Sequence, residues 1–93
     1  DVFRDLGADF ETLSKDKAKQ LGIDGGVKVK KLYPGKIRKT TQMREGFIIT
    51  KVDGQKITSV EKLADALQNK QGGVMLEGIY ENDTSPHYYA FGM

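Results

Sequence analysis

Eleven glycines and two prolines interrupt this 93-residue chain, and their placement limits it to short elements. Glycine and proline are the strongest local breakers of regular structure. Gly25-Gly26, Pro34-Gly35, Gly46, Asp53-Gly54 and Gly72-Gly73 each end or open an apolar run. Between them, Val27 to Tyr33 alternates valine with lysine and reads as a half-buried strand, with Leu32 regaining the apolar face after a one-residue slip. Lys28 and Lys30 fall on its solvent side, where lysines also protect a sheet edge. Phe47 to Val52 is the most apolar strand. Asp53-Gly54 is a tight-turn signal, and Gln55 to Ile57 is a short partner. Val74 to Tyr80 and His87 to Met93 form a terminal hairpin, with Asn82 to Pro86 as its loop.

One helix is well marked. Val60, Leu63, Ala64, Ala66 and Leu67 recur at helical spacing. Thr58 or Ser59 can cap it, and Thr58-x-x-Glu61 fits a capping box. Lys15 to Gln20 reads as a short helix ended by Gly22, its charges a solvated face. Lys36 to Met43 is a loop or a single helical turn, because Ile37 and Met43 are its only large apolar residues. Five or six short strands with one main amphipathic helix and one or two short ones define an α+β class: a small, partly open barrel or sandwich with a helix over an open edge. The length suits one domain, residues 1–93. A start at Asp1 reads as a processed protein or an excised fragment.

The residues exclude most chemistries. Without cysteine there is no disulfide scaffold, thiolate metal site or cysteine nucleophile. The only histidine, His87, sits in a polar stretch beside Pro86 and reads as solvated. No nucleophile elbow, phosphate-binding loop or dinucleotide fingerprint occurs. Scattered carboxylates and one histidine do not make a metal site. No apolar run nears the roughly 18 residues of a membrane span. A net charge of +2 does not by itself call for nucleic acid. No catalytic residue, metal or cofactor is therefore assigned, and what remains is a binding module.

The stretch from Tyr33 to Leu67 resembles bacterial PDZ domains. Pro34-Gly35 matches the start of their Pro-Gly block, and Met43 stands where leucine is usual. Gly46-Phe47-Ile48-Ile49-Thr50-Lys51-Val52-Asp53-Gly54 matches the following strand and turn without a gap. Ser59-Val60-Glu61-Lys62-Leu63 matches the helix start. Leu6-Gly7-Ala8 resembles the carboxylate-binding loop, and Val74 to Met93 the last two strands, with the aromatic run Tyr88-Tyr89-Ala90-Phe91. The variety it is most similar to is the second, C-terminal PDZ domain of HtrA/Do-type (DegP/DegQ-like) bacterial serine proteases. Two departures stand out. Residues 36–42 are more polar and basic than the family pattern, and Phe47 replaces the usual aspartate.

The resemblance implies a PDZ-like fold and peptide capture by β-strand addition. It implies a non-catalytic module of an HtrA-like protease in protein quality control, periplasmic, with the catalytic residues elsewhere in the parent. The partners implied are C-terminal or extended apolar peptide segments, or neighbouring subunits of a homo-oligomeric parent. Gly7 would sit in an anion nest of backbone N–H groups, flanked by Leu6 and Ala8. Asp9, Phe10 and Glu11 would form the augmented edge. Leu6, Phe10, Leu63, Ala66 and Leu67 would line the pocket for the last peptide side chain, and Arg4 would help neutralise its carboxylate. Leu63 and Leu67 could also be plain core. Two rivals remain. One is a PDZ domain of a site-2-type or tail-specific protease. The other is a basic small barrel binding nucleic acid through Lys28, Lys30, Lys31, Lys36, Arg38 and Lys39.

Overall fold

The computed structural model describes residues 1–93. The chain runs α1 (Val2–Leu6), β1 (Ala8–Thr12), α2 (Lys15–Leu21), β2 (Val27–Leu32), α3 (Lys36–Thr40), β3 (Ile48–Val52), β4 (Gln55–Lys56), α4 (Val60–Gln68), β5 (Gly73–Tyr80) and β6 (Asp83–Gly92). Six strands form one antiparallel sheet in the order β1-β2-β3-β5-β6, with β4 paired to β3. β1 and β6 are thus the terminal strands. α4 and α1 pack against β1, so one end of the sheet carries both helices.

The helices end where the side chains dictate. Ser14 caps α2, accepting from the Lys17 N–H at 3.1 Å, and Gly22 closes it. Ser59 caps α4, accepting from the Lys62 N–H at 3.2 Å. The cap is therefore Ser59 and not Thr58, and the third helical residue is Lys62, which cannot return the second bond of a capping box. The slip inferred in the second strand is a β-bulge: Phe10 pairs with Val29 and Asp9 with Lys31, leaving Lys30 unpaired. Val27 and Val29 point into the core, fully buried. β2 lies between β1 and β3, so its lysines do not guard an edge. Instead Lys28 reaches Glu81 and Lys30 reaches Glu11.

The core joins Val27, Val29, Ile37, Phe47, Ile49, Leu63, Leu67, Val74 and Leu76, among others, and every buried side chain is apolar or aromatic. Phe47 has no solvent exposure. Tyr89 meets it edge-on at 4.9 Å and Tyr80 packs at 5.2 Å. An aspartate at this fully buried position would be a buried charge, whereas Phe47 packs into this aromatic cluster. The basic segment after Gly35 folds as α3, and Ile37 is the residue that anchors it, fully buried.

Three further expectations are corrected. Residues 1–10 hold a five-residue helix, α1, so the chain has four helices and not two or three. The terminal hairpin turns at Glu81-Asn82, and β6 starts at Asp83. Pro86 lies within it, which an edge strand tolerates because the missing N–H need not serve a ladder. His87 is consequently a strand residue, not a loop residue. It lies edge-on to Tyr80 at 5.0 Å and 3.1 Å from the Asp83 carboxylate.

Candidate functional site

β1 pairs on one side only, with β2. Its other side faces α4, whose first N–H, that of Val60, donates to the Thr12 hydroxyl at 3.0 Å. This bond pins the start of α4 to the end of β1. From there α4 runs back toward α1, against which it packs. A strand edge beside an antiparallel helix is the geometry that strand addition uses.

The structure brings most of the expected residues to this end of the sheet. Leu6, Leu63 and Leu67 are in the core cluster, with Phe10 and Ala66 packed on it, half-buried. Ala8 is buried, while Asp9 and Glu11 are exposed on β1. Leu6 and Leu67 are each 1% exposed and Leu63 0%. All three are therefore covered and do not line an open pocket. The open space lies one step away: a cleft of about 670 Å³ bounded by Phe3, Arg4, Gly7, Ala8, Asp9 and Phe10 among its walls. Arg4 is exposed there, beside the expected loop.

Gly7 has the left-handed backbone expected of it, φ 77°. That conformation serves α1. The Gly7 N–H donates back to the carbonyls of Phe3 at 3.0 Å and Arg4 at 3.1 Å, and its own carbonyl accepts from the Tyr33 N–H at 2.8 Å. The expected anion nest is not open at Gly7, because its donor is spent in ending a helix. Asp9 accepts from the Tyr33 hydroxyl at 2.7 Å, and that bond raises the tyrosine above its ordinary range. The carboxylate is thereby tied to the β2 side of the strand.

Three participants escaped the sequence reading: α1, Thr12 and Tyr33. The signal for α1 was present. Asp1 accepts from the Phe3 N–H at 3.0 Å, and Gly7 follows Leu6 as a C-terminal glycine should, so Asp-to-Gly brackets one helical turn and a half. Thr12 and Tyr33 act through tertiary contacts that spacing does not reveal.

Nothing here assembles a nucleophile with a base. Ser85 and His87 both bond to the Asp83 carboxylate, which stands between them, so the imidazole cannot draw a proton from the hydroxyl as a triad requires. Ser85 is the main cause of the lowered Asp83 pKa, ahead of His87. No group of three or more His, Cys, Asp or Glu side chains converges to hold a metal.

No family model and no curated protein matches the sequence. The fold does have a counterpart. The crystal structure of the HtrA3 PDZ domain bound to a phage-derived ligand (FGRWV) matches with a TM-score of 0.68, covering 91% of this chain and 86% of that one at 19% identity. The fold is thus PDZ-like, α+β, as the resemblance in the sequence implied.

Proposed function

We propose that this chain is a non-catalytic peptide-binding module that takes an extended peptide as an added strand along the free side of β1, next to α4. The observation that carries this reading is the unpaired side of a terminal strand faced by an amphipathic helix. Backbone groups of such an edge bind another strand whatever its sequence, and neighbouring side chains set the preference. The phage-derived ligand (FGRWV) on the similarly folded HtrA3 domain supports peptide binding here. Gly7, Ala8, Asp9, Phe10 and Glu11 would form one wall and Ala66 the accessible part of the other, with Leu6, Leu63 and Leu67 behind them in the core and Arg4 at the carboxylate end.

The parent reading is an HtrA-like serine protease acting in protein quality control, with periplasmic location as part of that proposal. Its support is the sequence resemblance together with the HtrA3 neighbour. A segment of a neighbouring subunit is the second occupant this edge suits. The closed Leu6-Leu63-Leu67 cluster favours that reading, since strand addition by a subunit contact needs no terminal pocket.

Fluorescence anisotropy with labelled FGRWV tests the proposal, using free-acid, C-terminally amidated and backbone N-methylated forms. Strand addition requires saturable binding that N-methylation at alternate residues abolishes. Binding indifferent to N-methylation would reject strand addition, and no binding of any apolar-ended peptide would leave the subunit contact as the reading to pursue.

A further inference from the structure

The proposed groove already holds part of its own chain. α1 packs against α4, α3 and β1. Its Phe3 ring lies on that of Phe10, with centroids 4.8 Å apart and planes at 59°. Val2 and Phe3 are half-buried against the core. A bound terminal residue needs two things from this end of the groove: apolar surface for its side chain and a free N–H for its carboxylate. The apolar surface at Leu6, Leu63 and Leu67 is covered. The Gly7 N–H is shared between the Phe3 and Arg4 carbonyls. α1 therefore packs over this end of the groove and consumes that N–H.

We propose that α1 is an intramolecular plug, and that residues 1–5 must unwind before a peptide with a free C-terminus can seat beside Gly7. This rests on reading the β1–α4 face as a peptide groove. The device is suited to release. A five-residue helix is well below the length of about 12–15 residues at which isolated helices become even marginal. It is held by the Asp1 cap, the Gly7 hydrogen bonds and the Phe3–Phe10 contact. Leu6, at its last position, stays in the core as the floor of the pocket while the preceding residues unwind. Unwinding removes the Phe3 and Arg4 carbonyls from Gly7 and so returns its N–H to the groove. Arg4 and Asp5 are exposed, so no buried charge is stranded. Apparent affinity is then lowered by the fraction of molecules in which α1 is open, and weakening α1 raises it.

Two variants of the 93-residue chain test this against wild type, with FGRWV as free acid and as amide. Phe3→Ala removes the aromatic contact. Asp5→Pro removes the N–H that bonds Asp1 and places a ring against the preceding turn, breaking α1 while leaving residues 6–93 unaltered. Dispersed β5 and β6 amide resonances establish that each variant is folded. The proposal requires both variants to bind the free acid about two- to tenfold more tightly than wild type, with the amide gaining less. It also requires the Phe3, Arg4 and Asp5 amides of wild type to move to unstructured positions at saturation. Folded variants that bind with wild-type affinity, or α1 amides unmoved at saturation, would overturn the plug and leave the groove standing. Absence of binding by all three chains would overturn the plug and the capture of a free C-terminus, and leave only the subunit contact along β1.

Discussion

Gly7 and Gly35 cross backbone to backbone. A Cβ on Gly35 would stand 2.8 Å from the Gly7 Cα and 3.0 Å from its nitrogen, and one on Gly7 would stand 2.9 Å from the Tyr33 carbonyl oxygen. This crossing fixes where α1 ends, where β1 begins and where α3 starts. It places the Pro34-Gly35 turn behind the loop that opens the proposed groove.

The two glycines should fail differently when replaced. Gly7→Ala meets both crowding and its left-handed φ of 77°, which alone costs an L-residue about 1–2 kcal/mol. Gly35 has φ 173°, extended backbone any residue adopts, so Gly35→Ala meets crowding alone, about 1–3 kcal/mol by analogy with overpacked cores. Thermal melts should show both variants destabilised, Gly7→Ala the more so, by roughly 4–8 °C per kcal/mol for a domain of this size. A Gly35→Ala melt equal to wild type would mean that the turn yields freely.

Thr12 holds α4 against β1 through a single bond to the Val60 N–H. Thr12→Val keeps the shape and removes the acceptor. The expected loss is about 0.5–1.5 kcal/mol, toward the low end because the site is exposed and water can replace the hydroxyl. Hydrogen exchange at Val60 should accelerate more than at Leu67. Uniform acceleration along α4 would show that the pin is not local.

Tyr89 should make the fold alkali-sensitive. Burial, then the Tyr80 hydroxyl at 2.6 Å, pushes its phenol from 10.0 up to about 12. A folded pKa above the unfolded one means the stabilisation is complete below pH 10.0 and is lost as the pH rises through about 12. Urea midpoints measured from pH 9 upward should fall across that window for wild type. Tyr89→Phe should be flatter over the same range, and equal slopes would contradict the assignment.

Asp53 gives the acid counterpart. Its carboxylate accepts from the Met75 N–H at 2.9 Å and pairs with Lys70 at 3.0 Å. The Met75 bond first, then Lys70, holds its pKa below 3.8. A depressed folded pKa gives stability that is present above the unfolded value and lost as pH falls through the folded one. Asp53→Asn tolerates the φ of 50° that the turn requires, and should abolish this part of the acid loss while leaving the hairpin formed. Acid melts that superimpose for the two proteins would reject a role for the carboxylate.

Strands and the main helix were legible because their apolar periods are unmixed. Val27, Val29 and Leu32 even carried the bulge in their spacing, since only a slipped register puts all three on one face. α1 was not legible because five residues are too few to display a period, and its stability comes from packing on α4 and Phe10. β6 was shortened by reading Pro86 as a loop marker, a rule that a terminal strand escapes. At the site, the helix stripe and the Leu6-Gly7-Ala8 loop were found by spacing, but spacing carries no exposure. Leu63 and Leu67 looked alike as pocket or core, and only their burial shows that they are covered.

The most direct test of the account is a backbone amide titration of the ¹⁵N-labelled chain with FGRWV and its amidated form. Strand addition beside α4 predicts shifts in residues 8–12 and 60–68, besides those that opening of α1 adds at residues 3–5, with protection from exchange appearing along β1. Shifts confined to β6, the other terminal strand, or to no strand at all would contradict it.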